Sequence, residues 1–345
     1  MKTSSENSRF LKACRREPVD ATPVWFMRQA GRYMLAYRKL REKYTLLEMV
    51  AQPEIAAEVT LQPVKAFGVD AAILFADILL PLQPMGVDFE FVTGKGPIIA
   101  NPVRTAADVA ALKPVEAEAS LGHVMEAIRI LRGELSRTPL IGFCGAPFTV
   151  ASYMIEGGPS KDYRIAKSMM YHAPEVWHAF MEKLTTVLVD YLTAQIRAGA
   201  QAVQLFDSWV GTLDPQDYAA FALPYSKRIL AAAQASGVPV IHFGVGATTL
   251  LPQMKEAGAD VIGLDWRIPL DKGWEIVGHE HGVQGNLDPV TLFAPIPEMK
   301  KRIHDVLRRA EGRPGHIFNV GHGILQHTPE ENVRAAVEIV HEYRL

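Results

Sequence analysis

Eight short apolar runs punctuate this 345-residue chain, and each stops at polar or glycine residues before a longer helical pattern. They fall at residues 24–27, 71–75, 140–143, 202–206, 238–242, 261–264, 282–285 and 317–320. A short, nearly uninterrupted apolar run, rich in β-branched residues, is the pattern of a strand buried on both faces. Both faces are covered when strands run parallel and helices make the crossovers. Several helices close on a glycine just ahead of the next run, in Arg197-Ala198-Gly199-Ala200, Ala235-Ser236-Gly237-Val238 and Glu256-Ala257-Gly258-Ala259. That is where an αβ junction favours a residue able to turn left-handed. Eight such units predict an α/β fold, a (β/α)8 TIM barrel, as a single domain over residues 1–345. A doubly wound open sheet is the alternative. It would want a GxGxxG turn after the first run, and none is there.

Along the sequence, residues 1–20 read as a polar lead-in with a helical turn near 9–15. An amphipathic helical region covers about 44–67, with Pro53 opening a new helix and Gly68 ending it. Between the second and third runs, residues 88–92 and 97–100 flank Thr93-Gly94-Lys95-Gly96 and predict a hairpin. A helix over about 119–135 follows.

Bulk composition narrows function mainly by exclusion. With 36 basic and 38 acidic residues the net charge is −2, so no global field favours nucleic acid or an anionic membrane; anion binding has to be local. Two cysteines, Cys14 and Cys144, make neither a disulfide framework nor a four-thiolate zinc site. No apolar leader opens the chain and no run of roughly 18 apolar residues could span a bilayer. The expectation is a cytoplasmic, soluble protein.

Chemistry in such a barrel sits where strands end. After the first run come Arg28, Gln29 and Arg32, and four arginines (28, 32, 38 and 41) lie within 14 positions. Arginine stays charged and presents a planar fork that fits carboxylates and phosphates. A strand end that delivers several forks points to a polyanionic ligand, whereas Lys39, Glu42 and Lys43 read as a solvated helix face. Asp77 follows the second run inside an apolar stretch, Leu74-Phe75-Ala76-Asp77-Ile78-Leu79, where an unpaired carboxylate is costly. It reads either as a functional carboxylate or as the cap of the next helix, and the poor first turn after it favours the former. The remaining strand ends carry Gly145-Ala146-Pro147 leading to Tyr153, then Asp207 and Ser208, then His242, then Asp265 and Arg267, then Asn286 and Asp288, and last His322 between two glycines. Asp207 and Asp265 could each orient an arginine or cap a helix. Tyr153 could be core, and His172, His178, His304 and His341 read as helix surface. With no HExxH, Walker loop, GxSxG elbow or strand-end lysine, the site as read uses no metal, nucleotide or covalent cofactor.

The segments PVWFMRQAGRY and GFCGAPFTVASYMIEGG resemble the two signatures of the uroporphyrinogen decarboxylase family. LFADIL, QLFDSWVGTLDPQDY, ALPYSKRI, HFGVGA, IGLDWRIPL, VQGNLDP and FNVGHGILQHTPEENV match in register, from about residue 8 to the end. The resemblance implies a homodimeric barrel that uses no cofactor. It implies removal of the carboxyl groups from the four acetate side chains of uroporphyrinogen III, giving coproporphyrinogen III and CO2 in haem and chlorophyll synthesis. By motif position it places substrate binding on Arg28, Gln29, Arg32, Arg41, Asp77, Tyr153, Ser208 and His322, with Asp77 and Arg28 catalytic. Two departures are visible: Leu35-Ala36 stands where the family usually has a proline and an acidic residue, and Ala76 replaces a usual serine before Asp77. A corrinoid-linked methyltransferase of the same superfamily is the nearest alternative. It would need zinc-binding cysteines, but the matching place reads His242-Phe243-Gly244 and no cysteine follows Cys144. A non-catalytic polyanion binder is the other alternative, and it gives Asp77 no purpose.

Overall fold

A computed structural model describes residues 4–92 and 94–344. Strand β1 (Ala72–Ile73) is followed by an antiparallel hairpin of β2 (Phe89–Val92) and β3 (Gly96–Ile99). Then come β4 (Leu140–Gly145), β5 (Ala202–Asp207), β6 (Val240–Gly244), β7 (Val261–Gly263), β8 (Gly282–Gln284) and β9 (His316–Ile317). Outside the hairpin, seven strands form one curled parallel sheet in the order β1-β4-β5-β6-β7-β8-β9. Every residue of β4 and β6 is buried, as expected of strands covered by helices on one side and by one another's side groups on the other.

Seven of the eight apolar runs therefore became strands of the sheet. Residues 24–27 did not, and the reason is where their backbone N–H groups go. Val24 N donates to Asp70 Oδ2 at 2.8 Å, Phe26 N to Gln29 Oε1 at 3.0 Å and Met27 N to Asn319 Oδ1 at 3.0 Å. Side chains thus occupy three of the four donors a ladder would use, and only Trp25 N reaches a neighbouring backbone, Phe318 O at 3.4 Å. What remains is one parallel bridge, Val24 with Phe318, flanked by Phe318 N to Pro23 O at 2.8 Å, and Asp70 N to Val24 O at 2.8 Å.

Between strands the expected helices form, several with proline in the first turn, where its missing N–H costs nothing: Pro53–Phe67, Pro147–Glu156, Pro174–Ala198 and Pro215–Phe221. Gly68 ends the first of these at φ 68°, in the left-handed region open to glycine. The helix expected at 119–135 runs from Gly122 to Glu134. The hairpin lies at the expected place, although Thr93 in its turn falls outside the described residues. The polar lead-in is more than a tail. Helix Arg9–Cys14, capped by Ser8, buries Phe10, Leu11, Ala13 and Cys14. It lies close to the start of β8, where a Cβ on Gly282 would stand 3.7 Å from Ala13 O. No described helix is long and apolar enough to cross a membrane.

Candidate active site

The carboxyl ends of the strands open into a cavity of about 750 Å3. Of the residues singled out from sequence, Arg28, Arg32, Asp77, Tyr153, Ser208 and His322 all line it. They are scattered from residue 28 to residue 322, so only the fold brings them together. A concavity of similar size lies along the outer face of helix Ile296–Arg309, between exposed charged side groups and away from the strand ends.

Arg28 is held in an unusual way. Gln29 N closes a reverse turn onto Phe26 O at 3.0 Å, and Arg28 takes its left-handed position at φ 59°. A residue other than glycine there stores roughly 1–2 kcal/mol of strain, so something else fixes it. The Gln29 amide does so, accepting from Phe26 N and donating to Ala71 O at 3.0 Å. Gln29 is fully buried by this bracing and is not among the residues lining the cavity; its part here is to hold the turn that carries Arg28. Arg41, at the end of helix Leu35–Arg41, also lies outside the cavity lining, and its Nη1 donates to Tyr44 O at 2.7 Å. Arg38 also turns inward, donating to Tyr33 O at 2.7 Å and Arg32 O at 3.2 Å, which anchors the stretch bearing Arg32. Leu35, standing where the family usually has proline, starts that helix with its N–H donating to Glu330 Oε1 at 2.7 Å.

Asp77 makes a local turn bond and faces the cavity, while the cap position of the following turn is Leu79. Its Oδ1 accepts from Leu79 N at 2.9 Å, just ahead of the 3-10 turn Leu80–Leu82. Burial lifts its pKa to about 6, against the opposing pull of the Leu79 amide and the Arg28 charge. Tyr153 is pushed up to about 12, by burial first and the nearby Asp77 charge second, so its hydroxyl remains a donor. His322 is pushed down to about 4 by burial and by the Arg28 and Arg267 charges, so at neutral pH its ring is uncharged. Arg28 and Arg32 make no ion pair with any carboxylate among the described residues. Two guanidinium groups without an ion pair thus share a cavity with one carboxylate, Asp77, and with neutral donors that include Tyr153, Ser208 and His322.

The ambiguous aspartates separate. Asp265 orients an arginine, pairing with Arg267 at 2.7 Å while Arg267 lies over the Trp266 ring. Asp207 is fully buried and accepts from Thr149 Oγ1 at 2.7 Å. His242 is buried inside β6, 3.9 Å from Asp207, and no three His, Cys, Asp or Glu residues among those described group to hold a metal ion. His341, read as surface, pairs with Asp70 at 2.7 Å.

Sequence reasoning passed over the cavity's apolar wall. Phe143, Phe206 and Phe243 stand on the adjacent strands β4, β5 and β6, with ring centroids 5.4 and 6.2 Å apart. Phe75, Phe91, Tyr37 and Trp209 extend it. The signal was available: a phenylalanine sits at the end of three successive runs, in GFCG, LFDS and HFGVG. An aromatic wall under unpaired arginines fits a ligand with a broad apolar body and an anionic rim.

Fold and site together describe an α/β protein whose strand-end cavity has the size and charge to suit a large polycarboxylate. The family model described as uroporphyrinogen decarboxylase (URO-D) matches residues 5–343. Uroporphyrinogen decarboxylases of Carboxydothermus hydrogenoformans and Sorangium cellulosum are each 57% identical to this protein, over 97% of it and 96% of their own length. The chain belongs to the uroporphyrinogen decarboxylase family. Among solved structures, a methyltransferase from Methanosarcina mazei shares the fold at TM-score 0.82 and 20% identity, over 98% of both proteins.

Proposed function

We infer that this protein decarboxylates the four acetate groups of uroporphyrinogen III, yielding coproporphyrinogen III and four CO2 in porphyrin biosynthesis. The observation that carries the reading is Asp77, a carboxylate placed among unpaired arginines, where simple capture of a polyanion would not want one. Each turn takes up one proton per carboxyl lost. Protonation of the pyrrole α-carbon makes the ring an electron sink. The bond between the acetate CH2 and its carboxyl carbon then breaks, its electron pair enters the ring, and CO2 leaves. A proton added at the exocyclic carbon and one lost from the α-carbon restore the pyrrole, now bearing a methyl group. The substrate ring is its own sink, so this chemistry needs no added cofactor.

In this reading Asp77, ionised above about pH 6, accepts from the pyrrole N–H groups and stabilises the cationic ring. Arg28 holds the reacting acetate and supports its proton donor, and Arg32 grips a second carboxylate. Tyr153, Ser208 and neutral His322 position the rim carboxylates by hydrogen bonds, and the phenylalanine wall takes the macrocycle's apolar faces. Anaerobic incubation with uroporphyrinogen tests it: the tetracarboxylic product and CO2 are expected, and unchanged substrate overturns the reading.

We further read the sheet as a closed (β/α)8 barrel in one domain, with residues 23–25 in the eighth position. The Val24–Phe318 bridge and the Asp70-to-Val24 hydrogen bond, one on each side, support that. We assign a cytoplasmic homodimer. Two buried free thiols suit a reducing compartment, and the exposed apolar Leu35, Val290, Phe293 and Ile296 suit a partner surface. Sedimentation at about twice 38.1 kDa is expected, and a monomer overturns the dimer.

A further inference from the structure

We propose that Gly323 is a positioning residue for Arg28, and that its lack of a Cβ sets where that guanidinium points. This rests on the reading of Arg28 as a substrate-contacting arginine. A Cβ on Gly323 would stand 3.1 Å from Arg28 Cβ and 2.7 Å from Arg28 Cγ, and closer still to Cδ. Real Cβ atoms essentially never approach within 3.0 Å, and 3.1 Å is itself tighter than most. The atoms met are the base and middle of the arginine stem, not its mobile end, so an added methyl has to turn the whole stem.

Arg28 cannot yield by moving its backbone. Its left-handed turn is braced by Gln29 on one side, and Met27 before it is bonded at both ends, N to Asn319 Oδ1 and O from Ile324 N at 2.9 Å. The second of these bonds comes from the residue after Gly323, so the two loops are stitched together beside the contact. Gly323 in turn has a φ outside the left-handed region, and the three atoms nearest to an added Cβ all belong to Arg28. An alanine there suits the backbone and meets the Arg28 stem first. Gly321, two residues earlier, differs: its Cβ would strike the backbone N of Trp266, so substitution there moves the backbone. The loop after β9 therefore carries two glycines with different purposes, one for backbone packing and one for the aim of an arginine.

The test is a double-mutant cycle on the full-length protein with Arg28→Ala, Gly323→Ala and the pair, following kcat and KM for uroporphyrinogen decarboxylation and the thermal midpoint. Gly323→Ala is expected to raise KM and lower kcat/KM on the order of 10–100-fold, as misplacing an anchoring group by about 1 Å does. The losses are expected not to add: the double variant should be no slower than Arg28→Ala to within about threefold. Normal kinetics for Gly323→Ala, or an equal fold loss in both backgrounds, overturns the proposal. Wild-type kinetics for Arg28→Ala alone overturns the reading of Arg28 on which it rests. If Gly323→Ala fails to fold, the pair should fold, since removing Cγ and Cδ removes both contacts under 3.0 Å and leaves only the tight one at 3.1 Å to Cβ. A pair that also fails places the role of Gly323 elsewhere and overturns the proposal.

Discussion

A carboxyl group that ordinarily titrates near 3.8 is held at about 6 in Asp77, chiefly by burial, and that shift has a thermodynamic sign. The folded protein holds the Asp77 proton more tightly than the unfolded one does. The stability this gives is complete below about pH 3.8 and is lost as pH rises through 6. At neutral pH the ionised group is a burden on the fold, tolerated for the site. Asp77→Asn keeps the shape and the bond from Leu79 N but removes the charge. It is expected to cut turnover roughly 10²–10³-fold, the scale of losing a preorganised electrostatic contact. It is also expected to stabilise the protein by roughly 1–3 kcal/mol at about pH 7.5, with the difference fading toward about pH 4. Single-turnover assays and melts at the two pH values check both, and an Asn variant that turns over normally removes Asp77 from the chemistry. Residues of this kind were legible in sequence because burial and charge conflict openly in Leu-Phe-Ala-Asp-Ile-Leu. Gln29 was not legible in the same way. Its place beside Arg28 suggested a ligand contact, while its carboxamide is bonded to backbone on both sides, one of them 42 residues away.

Elements were legible to the extent that their signals were local. Proline at helix starts, glycine at helix ends and continuous apolar runs gave the strand-and-helix order directly. The segment 24–27 pairs through a single bridge although Val-Trp-Phe-Met has a strand's composition, because composition does not say whether a neighbour's backbone or a distant side group takes the N–H groups. Asn319 decides the matter from the other end of the sequence. It is fully buried, and its Oδ1 accepts from Met27 N at 3.0 Å and from Val320 N at 2.8 Å. Asn319→Leu leaves both amides without that acceptor, and each buried orphan costs about 1–3 kcal/mol. A loss of roughly 2–4 kcal/mol in urea unfolding is expected, together with weaker substrate binding, because Met27 carries Arg28 into its turn. Unfolding at the wild-type midpoint would mean the segment finds other partners and is not held by Asn319.

At the scale of the whole molecule, a net charge of −2 means that nothing global draws in a ligand with eight carboxylates; attraction has to come from the arginines at the mouth. That makes affinity sensitive to salt in a definite way. Between about 0.05 and 0.5 M salt the screening length shrinks from more than about 10 Å to under about 8 Å, weakening exposed charge pairs far more than apolar contact. Arg28 and Arg32 are exposed at the cavity and unpaired, whereas Phe143, Phe206 and Phe243 contribute burial that salt does not screen. The KM for uroporphyrinogen is therefore expected to rise several-fold over that range without binding being abolished, while kcat at saturation changes less than about twofold. Arg32→Gln should raise KM at low salt and flatten its rise, because one of the screened pairs is already gone. A KM indifferent to salt would mean that the arginines are not the grip and that the aromatic wall carries affinity alone. A salt response that Arg32→Gln leaves unchanged would assign the grip to Arg28.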